Sequence, residues 1–237
     1  MRYLVIVCCL LFILSYQSFP QNNALNSTIN KDLLYLQNEV LGRELILNTS
    51  ACSSSTALPF KEALKNALVY DKTGDGKCCK KILEKLTTEL HLSPLENCHL
   101  QIAWAAYFTA HQNYDSAKLY ASIANQKAGE KHWREEKSEA LLILSRGALR
   151  QRNISAAYAW ADSALIISRQ TKNEVLEGKI LFQLALCTRR HFTAIAKRSI
   201  PYFLMARQKA IATGDSLTLG IIDLYIGGDN FELNNWK

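Results

Sequence analysis

Two stretches, NYDSAKLYASIANQKA at 113–128 and NISAAYAWADSALIIS at 153–168, carry one pattern forty residues apart. Each opens on Asn and places alanine at the same offsets: Ala117, Ala121 and Ala124, then Ala157, Ala161 and Ala164. Residues spaced by four and then three share one face of an α-helix. A face of alanines lets a neighbouring helix come close and bury a continuous seam. Trp104 with Phe108, or Leu141 with Leu144, supply the apolar bulk to lie across it. A single pair of such helices buries too little to stand alone, so pairs must stack. Alanine-rich faces also occur in plain bundles, but the forty-residue echo favours a repeat.

The same period extends outward. Apolar residues recur at intervals of three and four through 59–90, 98–128, 139–168 and 175–212, with no alternating run that would make a strand. Each block breaks near its middle at a polar stretch: KTGDGK, HQNYDS, RQRNIS and the longer RRHFTAIAKRS at 189–199. Helix, turn and helix at a period between thirty and fifty predict a solenoid. Four prolines, ten glycines and 49% hydrophobic residues in 237 fit long helices in a globular chain.

These blocks resemble the tetratricopeptide repeat family, whose first helix carries a large–small pair followed by an aromatic residue and whose second helix carries three small or bulky seam positions. The matching residues are Trp104-Ala105, Phe108, Ala117, Ala121 and Ala124, then Leu144-Ser145, Ala148, Ala157, Ala161 and Ala164. Asn66-Ala67, Tyr70, Cys79, Leu83 and Leu86 precede them; Leu184-Ala185, Thr188, Phe203, Arg207 and Ala210 follow. The markers at 79, 117, 157 and 203 lie 38, 40 and 46 residues apart, longer than the family period of about 34. The resemblance implies an all-α, right-handed superhelical solenoid of antiparallel helix pairs over 59–237, its last repeat incomplete after a first helix at 216–226.

Before the repeats the chain changes character. Residues 1–20 carry a single charge, Arg2, and an apolar run of twelve residues from Tyr3. As a helix that run rises about 18 Å, short of a bilayer core of roughly 30 Å, so it reads as a cleaved signal peptide and the chain as exported, periplasmic or secreted. Retention as an anchor is the alternative. Residues 21–58 read as a polar segment containing a capping helix at 31–47. Net charge is +7 and uneven: 134–209 hold fourteen Lys and Arg against six Asp and Glu, a surplus of +8. Such a surplus steers anionic partners, and export argues against nucleic acid.

Catalytic chemistry finds no foothold. DKTGDGKCCKKI at 71–82 has Asp71, Asp75 and Gly76 in calcium-loop positions but Ile82 where a bidentate Glu is needed, so it reads as a turn. Cys78 and Cys79, with Cys98 and His99, lack the spacing of a zinc set, and one disulfide among Cys52, Cys78, Cys79 and Cys98 is open. No nucleophile elbow or phosphate-binding loop is present. The chain is therefore expected not to be an enzyme and to hold no cofactor or metal.

In tetratricopeptide arrays the first helices line a concave surface where partners bind. By register the resemblance puts Glu139, Leu142, Arg146 and Leu149 there, with Lys179, Phe182, Leu186 and Arg189 beside them. Lys61, Leu64, Leu68 and Asp71, and His99, Ile102, Ala106 and Thr109, are the corresponding positions of the first two repeats. The expected function is an exported scaffold that binds a protein or peptide, with an acidic group matched to Arg146, Lys179 and Arg189, as in the sensing or assembly parts of bacterial envelope proteins. Self-association through the incomplete last repeat is a further expectation. The alternative is a small-molecule or glycan pocket lined by Trp104, Trp133, Trp160 or Tyr158.

Overall fold

The computed structural model describes residues 59–232 apart from 73, 90 and 192–195. The signal peptide at 1–20, the segment at 21–58 with its capping helix and Cys52, and residues 233–237 lie outside the described residues. The described helices over 60–71 and 76–232 belong to one compact unit.

Among the described residues every regular element is an α-helix: α1 Phe60–Lys72, α2 Gly76–Glu89, α3 Pro94–Ala110, α4 Tyr114–Glu130, α5 Arg134–Arg150, α6 Ile154–Ser168, α7 Glu174–His191, α8 Ala196–Thr213 and α9 Ser216–Glu232. The boundaries of α3 to α6 recur every twenty residues, because three successive turns share one geometry. Gln112, His132 and Arg152 adopt left-handed φ of 61°, 56° and 62°. The next amide then turns back on the finished helix: Asn113 N–H donates to the Phe108 carbonyl, Trp133 to Ala128 and Asn153 to Ala148, each at 2.9 Å. This closes the last turn as a Schellman motif. The residue just used becomes the next N-cap. The side-chain oxygens of Asn113 and Asn153 accept from the Ser116 and Ala156 amides at 3.2 Å. Trp133 caps nothing and packs its ring on the core instead. The Asn that opens each echoed stretch is thus the hinge between helices, and the forty-residue repeat is two turns of twenty.

The alanine stripe is buried as its spacing predicts. Ala121, Ala124, Ala128, Ala157, Ala161 and Ala164 expose no surface, and Ala117 almost none. Ala121, Ala124, Ala128, Ala161 and Ala164 share a core with Ala140, Leu141, Leu144, Ile180, Leu184 and Phe203, while Ala157 packs with Leu149 and Cys187. A second cluster holds Phe60, Ala67, Cys79, Leu83, Leu100 and Trp104. Consecutive helices from α2 to α9 pack against one another, and α3 also packs on α5 and α5 on α7. No pair drawn from α4, α6 and α8 approaches as closely. The first helices therefore form a layer of their own.

Three details differ from the sequence reading. The long break at 189–199 shrinks, since α7 continues through Arg189 to His191 and α8 begins at Ala196. In α8 the seam passes through Phe203, Ala206 and Ala210, while Arg207 turns outward to pair with Asp223 at 2.6 Å. α9 runs on through Gly227 and Gly228 to Glu232. Each glycine costs about 1 kcal/mol in a helix, and the anchor beyond them offsets this: buried Asp229 takes the Arg189 guanidinium and the Ser199 hydroxyl, both at 2.6 Å.

Two substitutions test this account. Ala121→Leu forces bulk into the seam and should destabilise by about 1–3 kcal/mol, whereas Ser122→Leu on the exposed side should stay within about 0.5 kcal/mol. Arg152→Gly relieves the left-handed turn and should stabilise by about 0.5–1 kcal/mol. Urea unfolding followed by circular dichroism reads all three.

Candidate functional site

Charged pairs join the first helices to one another, and they mark the face to consider. His111 on α3 meets Asp71 on α1 at 3.0 Å, and His99 at the other end of α3 meets Glu136 on α5 at 3.0 Å. Arg189 on α7 meets Asp229 on α9 and lies 5.4 Å above the Tyr225 ring. Between α5 and α7 the pattern changes. Glu139 feels the charge of Lys179 across the gap, along with His99 and Arg146, without closing an ion pair.

Glu139 and Arg146 share one side of α5, seven residues and thus about 10 Å apart. Both side chains reach solvent, yet protein crowds round them. Desolvation is the largest influence on each: it pushes the Glu139 carboxyl up, against the pull of Lys179, His99 and Arg146, and draws Arg146 down, with Glu139 opposing and Arg150 adding to it. Among the described residues neither group has a side-chain hydrogen bond or ion pair. Each lies within the other's field, so both charges are held ready in one place.

The other expected residues divide by depth. Leu142 and Leu149, expected to meet a partner, are instead buried in the core with Ile143 and leave almost no apolar surface open on this face. Lys179 is exposed, and Phe182 and Leu186 are half-buried along the same side of α7. Phe182 belongs to an aromatic group with Phe203 and Tyr225, centroids 5.4–5.9 Å apart. Arg189 is committed to Asp229. The structure thus brings Glu139 within electrostatic reach of both Arg146 and Lys179, with Phe182 further along α7. Glu136, whose pairing with His99 completes the cluster, went unremarked in the sequence. Its one signal was its place three residues before Glu139, on the same helical side.

The aromatic residues named for a small-ligand pocket do not converge. Trp104 is packed inside the helix pair, stacked on Phe108 at 5.4 Å and donating its indole N–H to Thr87 at 3.2 Å. Trp160 projects from α6, 39% exposed, and Tyr158 shares a hydroxyl contact of 3.3 Å with Tyr202 on α8. No disulfide links the four described cysteines to one another, and no group of His, Cys, Asp and Glu among the described residues is arranged to hold a metal ion. No described helix is long and apolar enough to cross a membrane.

No protein-family model matches the chain, and no curated protein matches it. Among solved structures it is similar to the crystal structure of the apo form of RapI, with a TM-score of 0.57 and 12% identity. That likeness covers 93% of this chain and 64% of the other, so the chain spans less than two thirds of its structural neighbour. At this identity the likeness shows a shared helical-repeat fold, as the tetratricopeptide-like pattern anticipated.

One pH dependence follows from the helix packing beside the site. Burial pushes the Cys98 thiol up to about 11, with Glu136 next in effect; the hydrogen bond to Tyr202, then burial, takes Tyr158 up to about 12. Both groups must remain protonated in the folded chain, so their stabilisation is whole below about pH 9 and is lost as pH rises. The urea midpoint should fall between pH 9 and 11, and Cys98→Ala should flatten that slope. An unchanged slope in the variant would contradict the assignment.

Proposed function

We propose that this chain is a binding scaffold rather than an enzyme: a tetratricopeptide-like, right-handed superhelical solenoid that receives a protein or peptide segment on the concave face of its first helices. The observation that carries this reading is the pair of opposite charges, Glu139 and Arg146, exposed on one side of α5 and, among the described residues, without a side-chain hydrogen bond or ion pair. A ligand that supplies an opposite charge to either group gains a charge-assisted hydrogen bond. Lys179 and the basic surplus over 134–209 favour a segment with an acidic group. An exported setting belongs to the same reading and rests on residues 1–20.

A small-molecule or glycan pocket is the weaker alternative, since Trp104 is occupied within the core and Trp160 faces away on a second helix. Selection of displayed random peptides on the parent chain separates the two. Binders should be enriched, should weaken at least tenfold on Arg146→Glu/Lys179→Glu, and should be indifferent to Trp160→Ala. Failure to enrich any peptide, or loss of binding on Trp160→Ala alone, would overturn the reading.

A further inference from the structure

The turns inside successive helix pairs open on one edge of the array. His111 at the end of α3 meets Asp71 near the end of α1, and Gly76 at the start of α2 lies against the same imidazole ring. His99 and Glu136 tie the starts of α3 and α5, which leaves their ends at that edge. Ser145 on α5 faces Gln183 and Cys187 on α7, so the ends of these two helices fall within a turn of each other. The edge is basic. Lys77 and Lys81 on α2, Lys118 on α4, Arg150 and Arg152 at the α5–α6 turn and Arg198 on α8 are all exposed. The acidic residues described on these turns are Asp71 and Asp229, drawn into pairs with His111 and Arg189, and Asp75 and Asp115. Between Glu139 and Asp162, and again between Glu177 and Asp215, the sequence has no acidic residue.

Helix ends at this edge add to the charge. A helix N-terminus is the positive end of its dipole and favours an acidic residue. Yet α2, α6 and α8 begin here with none in the first turn, and α4 has only Asp115. At the opposite edge α3 begins with Glu96, α5 with Glu135 and Glu136, and α7 with Glu174 and Glu177. Bases there are also consumed, since Glu177 takes Arg169 at 3.8 Å and Lys209 at 3.0 Å. By contrast, among the described residues Lys77, Lys81, Arg150 and Arg152 close no ion pair. We propose that this edge docks the solenoid on an anionic bilayer surface. Its bases stand on four separate turns, so they do not converge on one phosphate or carboxylate, whereas a plane of headgroups meets them together. Each Lys or Arg brought to such a surface strengthens binding about fivefold. Where the apolar run from Tyr3 is retained, it joins an apolar insertion to the basic edge, and two such contacts hold a chain at a membrane better than one. Neither Glu139 nor Lys179 takes part, so the contact stands apart from the peptide-binding face.

Co-sedimentation of the full chain with vesicles tests this, using phosphatidylcholine alone or with phosphatidylglycerol as the anionic component. Anionic vesicles should bind at least about tenfold tighter than neutral ones at low salt, and the advantage should disappear at about 1 M salt. Arg150→Ser/Arg152→Gly relieves the left-handed turn while removing two bases, and should weaken binding to anionic vesicles by about tenfold or more. Lys131→Ser/Arg134→Ser removes the same charge from the opposite edge, about 25 Å of helix away and beyond the screening length. That variant should change binding less than about twofold. Equal losses from the two variants would show attraction by total charge alone and overturn the proposal. Equal binding to neutral and anionic vesicles would overturn it too, by assigning the contact to the apolar run. Failure to bind anionic vesicles also overturns it, and duplex DNA held through Arg150 and Arg152 instead would give the edge to another polyanion.

Discussion

Close approach of helices across a stripe of alanines is the constraint on which everything else rests. Ala117, Ala121, Ala124 and Ala128 on α4, and Ala157, Ala161 and Ala164 on α6, contribute almost no side-chain thickness and expose almost no surface. A larger residue at any of them would hold the helices apart and open the seam along its length. With that spacing set, the turns have little freedom. The three turns after α3, α4 and α5 adopt one left-handed geometry on Gln112, His132 and Arg152, none of which is glycine. A strained backbone of this kind persists only where packing on both sides fixes it.

Packing on the second-helix side leaves the first helices to form a layer of their own, and that layer is where charge accumulates. Successive first helices are joined by Asp71–His111, His99–Glu136 and Arg189–Asp229. On α5, by contrast, Glu139 and Arg146 have no side-chain hydrogen bond or ion pair among the described residues. The contrast gives the site its meaning: where Asp71, His99 and Asp229 are paired between neighbouring helices, Glu139 and Arg146 stay exposed on α5. Part of the sequence's basic surplus is spent elsewhere, for Arg189 and Arg207 are both in ion pairs.

Local periodicity made the helical repeats and their seams legible, because an alanine at the right spacing has few other uses. It failed where long-range contacts override local preference. The two glycines in α9 read as a stop, yet Asp229 beyond them is drawn into a buried pair with Arg189. Arg207 fitted the seam by spacing alone, but the helix turns its neighbour Ala206 inward. At the site, register placed Glu139, Arg146 and Lys179 on one side but could not say that Leu142 and Leu149 lie beneath it, or that Arg189 is already committed. Those facts depend on partners forty residues away.

The central claim is that ligands meet the first-helix layer and not the second. Site-specific photocrosslinking tests it most directly, with benzoylphenylalanine at Phe182, half-buried on α7, or at Trp160, exposed on α6. Peptides selected on the parent chain should form adducts with the first and not with the second. Adducts at Trp160 with none at Phe182 would place the binding surface on the opposite layer and contradict the account.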